Sequence, residues 1–386
     1  DREDLVEERA IAITLTQDNY IRHVPVETFK LQNRGGKGLK GVSTKEEDSP
    51  QSIITCFSKD RLLIFTNMGR VYGLRAWETP IGSRHSRGTH IKNLLGSLQE
   101  GEDIVTILPL SKSLVDEVRE KCVDVEVEEG EKRPPSGYFL LFATKLGLIK
   151  KTDLSQYVKI NRNGKYALRF KLPDDALVNV RLSTDDDSVV MISSTGYASR
   201  FSCSDIRASG RVSGGVYGIK VGARKGSGGG EVVGMISIAN ADTQILTISK
   251  YGMAKRSRIG TGGRVPGIDS DGNPKYDEEG NVKQITDGYR KTRPGAKGVR
   301  TMKLDEIHHD EIISVRMIPD MNDNLFLLTK KGMMIRLMVS QTKETSGKST
   351  RGTRVMELRN NDKSGFTDEL IFSSRLPAEL MNSEQD

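Results

Sequence analysis

Seven consecutive residues, Gln32-Asn33-Arg34-Gly35-Gly36-Lys37-Gly38, combine bare backbone with positive charge directly after a strand-like run. Glycines carry no Cβ, so their N–H groups can approach an anion closely, while Arg34, Lys37 and nearby Lys40 supply charge-assisted hydrogen bonds. The chemistry this predicts is phosphate binding. It is not nucleotide-triphosphate binding: a P-loop needs Ser or Thr after its lysine to hold magnesium, and Gly38 has no hydroxyl. The similar stretch Gly347-Lys348-Ser349 has Thr342 where the first glycine of such a loop belongs.

Other chemistry is sparse. No Ser-His-Asp, Cys-His or paired-carboxylate arrangement stands out, so no catalytic residue is assigned. His308 and His309 adjoin Asp310, but neighbouring residues on a strand face opposite ways and no third ligand is suitably spaced. Asp269-Ser270-Asp271-Gly272-Asn273 hints at a calcium loop, yet its glycine stands fourth rather than sixth, and a surface turn is the better reading. No metal or cofactor is expected. Cys56, Cys122 and Cys203 are odd in number and far apart, which argues against disulfides and zinc and for a reducing compartment. Trp77, the single tryptophan, is expected to pack.

The elements that must position these residues repeat. An apolar run followed by [ST]-x-x-[GN] recurs six times, ending at Asn19, Gly69, Gly147, Gly196, Gly252 and Gly332. The spacing predicts tight hairpins whose last turn residue takes a positive φ, which glycine tolerates best and asparagine next. The uninterrupted apolar runs predict strands covered on both faces. A second glycine-marked segment follows each hairpin (Arg34 to Gly41, Ser86 to Gly88, Arg162 to Gly164, Gly210 to Gly218, Arg293 to Gly298, Thr350 to Gly352), and beyond most of these lie an acidic residue and another apolar strand.

Four strands per unit and six units predict an all-β, propeller-like closed ring. Its expected extent is 11–375, with 1–10 a linker remnant, 376–386 a tail, and insertions near 112–136 and 258–293. The strand at Leu370-Ile371-Phe372 is expected to complete the first unit and close the ring.

Bases recur with the hairpins. Three and four places beyond the turn residue stand Arg22, Lys150, Lys151, Arg200, Lys255, Arg256 and Arg336, so five of six hairpins carry one, against about 1.7 for random placement. The second hairpin offers Arg70 and Arg75 instead, and the glycine-marked segments add Arg87, Arg162, Arg211 and Arg351. One position per unit of a ring predicts a positive belt around the perimeter, suited to a long polyanion.

Composition agrees. The net charge is +7, the pI about 9.1, aromatics are 5%, and 39 glycines against 12 prolines favour turns over proline-rich disorder. No apolar run is long enough to span a bilayer, and the charged start (Asp1, Arg2, Glu3, Asp4) without Met reads as a piece of a longer protein.

With six [ST]-x-x-[GN] hairpins, Gly210-Arg211 through Gly218-Ile219, Ala254-Lys255-Arg256 and the heptad at 32–38, the chain resembles the C-terminal domain of DNA gyrase A over residues 5–375. The heptad resembles that family's gyrase A box, with Asn33 where a base is usual. The resemblance implies a six-bladed β-pinwheel of four-stranded blades. It further implies that the box joins the first blade to the last and that the disc wraps duplex DNA, with little sequence preference, for negative supercoiling by the holoenzyme. The partners implied are double-stranded DNA, the N-terminal part of gyrase A, and gyrase B, in the cytoplasm. The breakage tyrosine, the ATP site and the magnesium belong elsewhere in that enzyme, so this monomeric piece is expected to be catalytically silent. The alternatives are the corresponding C-terminal domain of topoisomerase IV and a propeller-like protein-interaction module.

Overall fold

A computed structural model describes residues 5–27, 50–82, 86–126, 131–223, 225–269, 271–345, 350–358 and 365–380. The heptad 32–38 and Lys40 lie outside these residues.

Each hairpin turn is built as its sequence predicts. The turn residue has φ between 62° (Asn19) and 93° (Gly147), and its N–H donates to the carbonyl of the Ser or Thr three places earlier. That same Ser or Thr hydroxyl accepts the next N–H at 3.0–3.4 Å in all six turns. Side chain and carbonyl together satisfy two donors, which is why the motif needs a hydroxyl at its first position.

Six blades follow. In blade 1 the hairpin Ala10–Thr16 and Tyr20–Pro25 lies between the inner strand Pro50–Phe57 and the outer strand Thr89–His90. Blade 2 pairs Arg61–Thr66 and Arg70–Arg75 with inner Ile104–Leu110 and outer Lys165–Tyr166. Blade 3 uses Phe139–Thr144 and Leu148–Asp153, inner Leu177–Ser183 and outer Val216–Tyr217. Blade 4 has Ser188–Ser193 and Tyr197–Ser202, inner Val232–Ile238 and outer Val299–Arg300. In blade 5 these are Gln244–Ser249 and Met253–Arg258, inner Ile312–Ile318 and outer Thr353–Arg354. Blade 6 has Asn324–Thr329, Met334–Met338 and inner Leu370–Leu376, with no outer strand among the described residues.

The outer strand of every complete blade comes from the excursion that follows the next hairpin, so the glycine-marked segments are exchanged between neighbours. The unit read from sequence is therefore not one blade. A glycine opens each outer strand because that strand lies against its partner: a Cβ on Gly215, Gly298 or Gly352 would sit 2.3 Å from the carbonyl oxygen of Ile149, Ala198 or Ala254.

The expected closure through the C-terminal strand is corrected. Leu370–Leu376 is the inner strand of blade 6 itself, and the first blade takes Pro50–Phe57 from the chain just after its own hairpin. The ring closes by packing instead: Leu376 and Leu380 of the last blade meet Ala12, Val24 and Ile53 of the first. Apolar clusters fill the other five seams as well. In blade 3, Leu140 and Phe142 face blade 2 while Leu141 and Ala143 face blade 4, so alternating side chains enter two seams and the whole strand must be apolar.

In the first insertion, the helix Lys112–Val118 is capped by Ser111, whose hydroxyl accepts the Leu114 N–H, and it buries Val115 and Val118 in the seam of blades 2 and 3. In the second, a hairpin of Arg264–Pro266 and Gln284–Thr286 carries two acidic turns. Asp269 accepts the N–H groups of Asp271 and Asn273 at 2.9 Å, so its carboxylate oxygen serves the turn. Among the described residues no cluster of His, Cys, Asp or Glu is arranged to hold a metal.

Candidate nucleic-acid interface

The belt expected three and four places beyond each turn is not an outward belt. Lys150, Lys151, Arg200 and Lys255 are buried, at 1–4% exposure. Lys150 donates to the carbonyls of Ala167 and Arg211, and Lys255 to that of Thr301 at 2.6 Å. Arg200 donates to Ile259, Gly260 and Tyr289, and Lys151 to Cys203 and the Asp185 carboxylate. The reason is the swap: the second hairpin strand stands third in its sheet, covered at its edge by the outer strand, so its side chains enter the seams. Burial brings the Lys150 ammonium down to about 7, helped by the like charge of Arg211, and burial alone brings Lys255 to about 8.

The other predicted bases divide. Arg22, half-buried, donates to the Ser86 carbonyl, and Arg256, also half-buried, lies against the Met321 sulfur. Arg70 is paired with buried Glu102 at 3.3 Å. Half-buried Arg75 donates its backbone N–H to Glu78, and half-buried Arg211 gives its own to Gln156. Arg87, Arg162, Arg336 and Arg351 are exposed. Arg87 pairs with Asp18 at 2.6 Å and covers the Tyr20 ring; Arg162 pairs with Glu78 at 2.5 Å; Arg336 donates to Asn324 at 3.0 Å.

The perimeter is made by the excursions, and these join end to end. The Arg169 N–H reaches the Ser213 carbonyl at 3.4 Å, Lys220 reaches Ala296 at 3.0 Å, and Lys303 reaches Thr350 at 3.0 Å. Arg169, Lys220 and Lys303 are equivalent: each is the fifth residue after the glycine that opens an outer strand (Gly164, Gly215, Gly298), and each side chain is exposed. At the first junction, exposed Lys171 donates to Gly215 at 2.5 Å and lines a cleft of about 450 Å³ with Arg207. Exposed Arg293 and Lys297 flank Ala296 at the second, and exposed Arg351 follows Thr350 at the third.

Three consecutive junctions thus form an outward cationic track over blades 2 to 5. Counting from hairpin turns misses Arg169, Lys220 and Lys303; counting five from the second glycine of each unit finds them. The register also shows where the repeat lapses, since the same count gives Asn93 and Glu357 in the excursions that cover blades 1 and 5.

A ring of six blades, five of them strand-exchanged among the described residues, with exposed bases along the outer edge of blades 2 to 5, defines a β-propeller of the pinwheel kind. The sequence profile of the family described as "DNA gyrase C-terminal domain, beta-propeller" matches residues 11–56, 60–111, 138–183, 187–239, 286–319 and 323–363. The chain belongs to that family.

DNA gyrase A of Staphylococcus epidermidis (strain ATCC 12228 / FDA PCI 1200) is 32% identical over 357 residues, covering 92% of this chain and 34% of its own length. DNA gyrase A from Staphylococcus aureus (strain MRSA252) matches to the same extent. The chain spans about a third of the length of these curated relatives. Two solved structures share the fold. The C-terminal domain of DNA topoisomerase IV superposes with a TM-score of 0.65 at 20% identity, covering 97% of this chain and 95% of that one. The DNA gyrase A C-terminal domain gives 0.62 at 20% identity, covering 96% and 100%.

Proposed function

We propose that this chain wraps duplex DNA around its rim as the non-catalytic C-terminal part of a DNA gyrase A protein. The observation that carries this reading is the outward cationic track through Arg169, Lys220 and Lys303. Exposed bases at equivalent positions of successive blades can meet successive turns of one phosphate backbone without reading bases. The named relatives favour gyrase over topoisomerase IV, since both are gyrase A proteins while the two solved folds score alike.

Wrapping is costly. A compact body of this length has a radius of about 27 Å, so a duplex half-encircling it follows a radius of roughly 37 Å over about 34 base pairs. Elastic bending over that path costs on the order of 12 kcal/mol. One anion-binding loop cannot offset this, and several phosphate contacts distributed along the rim are needed.

Within this reading the 32–38 heptad acts at the first and last blades. The chain after the first hairpin, which carries Arg34 and Lys37, is the segment this reading brings to the last blade. Cleavage, ATP and magnesium belong to the remainder of gyrase A and to gyrase B, in the cytoplasm.

The test is ligase closure of nicked plasmid with increasing protein. A linking-number shift is expected, smaller in Arg34→Ala/Lys37→Ala than in His308→Ala/His309→Ala. Unchanged topoisomers with wild-type protein would reject wrapping and favour a protein-interaction propeller.

A further inference from the structure

Ala167, Gly218 and Thr301 each stand immediately after an outer strand, and each is bonded on both sides. Their N–H groups donate to the turn glycines of the blade they cover, Gly69, Gly147 and Gly196, at 2.8–2.9 Å. Their carbonyls face the next blade and accept from the side chain three places beyond its turn. The donors are Lys150 in blade 3, Ser199 in blade 4 (3.2 Å) and Lys255 in blade 5 (2.6 Å). One residue therefore stitches blade 2 to 3, one blade 3 to 4 and one blade 4 to 5. The equivalent side chain of blade 6 is Ile335, which has no donor, and that of blade 2, Tyr72, gives its hydroxyl to Glu102 and Ser97.

A lysine is an expensive way to fill a seam, because an apolar chain of the same length would fill it without burying an ammonium. What the lysine adds is direction, since its charged donor keeps its full set of acceptors only while the carbonyl of the neighbouring blade stays within reach, Lys150 otherwise retaining the Arg211 carbonyl alone. We propose that Lys150 and Lys255 are positioning residues that fix the angle between successive blades, and so the curvature that the cationic rim imposes on DNA. The inference rests on the wrapping function above.

Titration gives the pins a signature. Facing Lys150 are the Arg211 guanidinium and the Phe142 ring at 4.8 Å, with the Tyr157 hydroxyl sharing the Ala167 carbonyl; on its own strand, neighbouring Lys151 is paired with Asp185. Lys150 is lowered to about 7 and Lys255 to about 8, so both lose their proton over a range in which the unfolded chain keeps it. Below about 7 both states are charged and the burial penalty is fully present; as pH rises towards 9 the folded state gains stability. The charged pins weaken over the same range. Stability and blade angle therefore respond to pH with opposite signs.

The experiment uses the 386-residue chain, wild type and Lys150→Met/Lys255→Met. Affinity for a linear duplex is read by anisotropy, topology by closure of nicked plasmid at saturation, and amide exchange without DNA. In the double variant the linking-number shift per bound chain should fall by about half while affinity stays within about twofold and the melting temperature holds or rises. Amides at 165–169 and 299–303 should exchange about tenfold faster, and those at 216–220, stitched by Ser199, should not change. From pH 6.5 to 9 the wild-type shift per bound chain should decline while its melting temperature rises, and the variant shift should stay flat.

Unchanged exchange at 165–169 and 299–303 would overturn the pins whatever DNA does. So would a variant that saturates DNA with the full wild-type shift, or one whose lost shift only follows a lower melting temperature. Wild-type protein that binds but shifts no topoisomers would instead reject wrapping.

Discussion

Replacing Arg169, Lys220 and Lys303 with alanine removes one exposed base from each of three consecutive junctions and leaves the backbone bonds that join the excursions in place. Each lost phosphate contact lowers the slope of log K against log salt by about 0.9, so the triple variant should lose about 2.7. Between 50 and 200 mM salt, wild-type affinity should then fall about 40-fold further than that of the variant. The comparison that gives the test its force is Lys150→Met/Lys255→Met, which also removes two bases of the chain but takes them from buried seams. Its slope should match wild type. Fluorescence anisotropy on a linear duplex of random sequence, titrated at four or more salt concentrations, measures both. A slope loss below about 1 in the triple variant, or an equal loss in the buried double variant, would refute the assignment of the track to the excursions.

Two further outcomes test the fold that carries the track. Gly298 and Gly137 have nearly the same φ, +87° and +86°, but a Cβ on Gly298 would lie 2.3 Å from the Ala198 carbonyl oxygen, while one on Gly137 meets no described atom within 4 Å. Gly137→Ala should cost about 1 kcal/mol from backbone strain alone, and Gly298→Ala about 3 kcal/mol or more by displacing an exchanged strand, as read from urea melts. The three free thiols are buried, and burial beside Asp60 pushes Cys56 up to about 12. A disulfide reagent at pH 8 should label the native protein at least about a hundredfold more slowly than the urea-unfolded chain, which should titrate all three.

Much of the architecture is written locally. A Ser or Thr, two turn residues and a Gly or Asn determine each hairpin, because the hydroxyl, the carbonyl and the positive φ all act within five residues of one another. The continuous apolar strands follow from a ring in which alternate side chains enter two different seams, so the number of blades was countable from the sequence. What the sequence did not state was partnership. Lys150 and Arg169 are both bases near a glycine in a repeating unit, yet one is sealed in a seam and the other stands in solvent. The difference arises because the outer strand of each of the five complete blades is donated by the chain after the next hairpin, a contact between segments tens of residues apart. Local propensity is blind to such an exchange, since both the donated and the retained arrangement satisfy the same turns and the same strand lengths. Only the folded ring decides which edge is covered, and with it which charges are left to meet an anion.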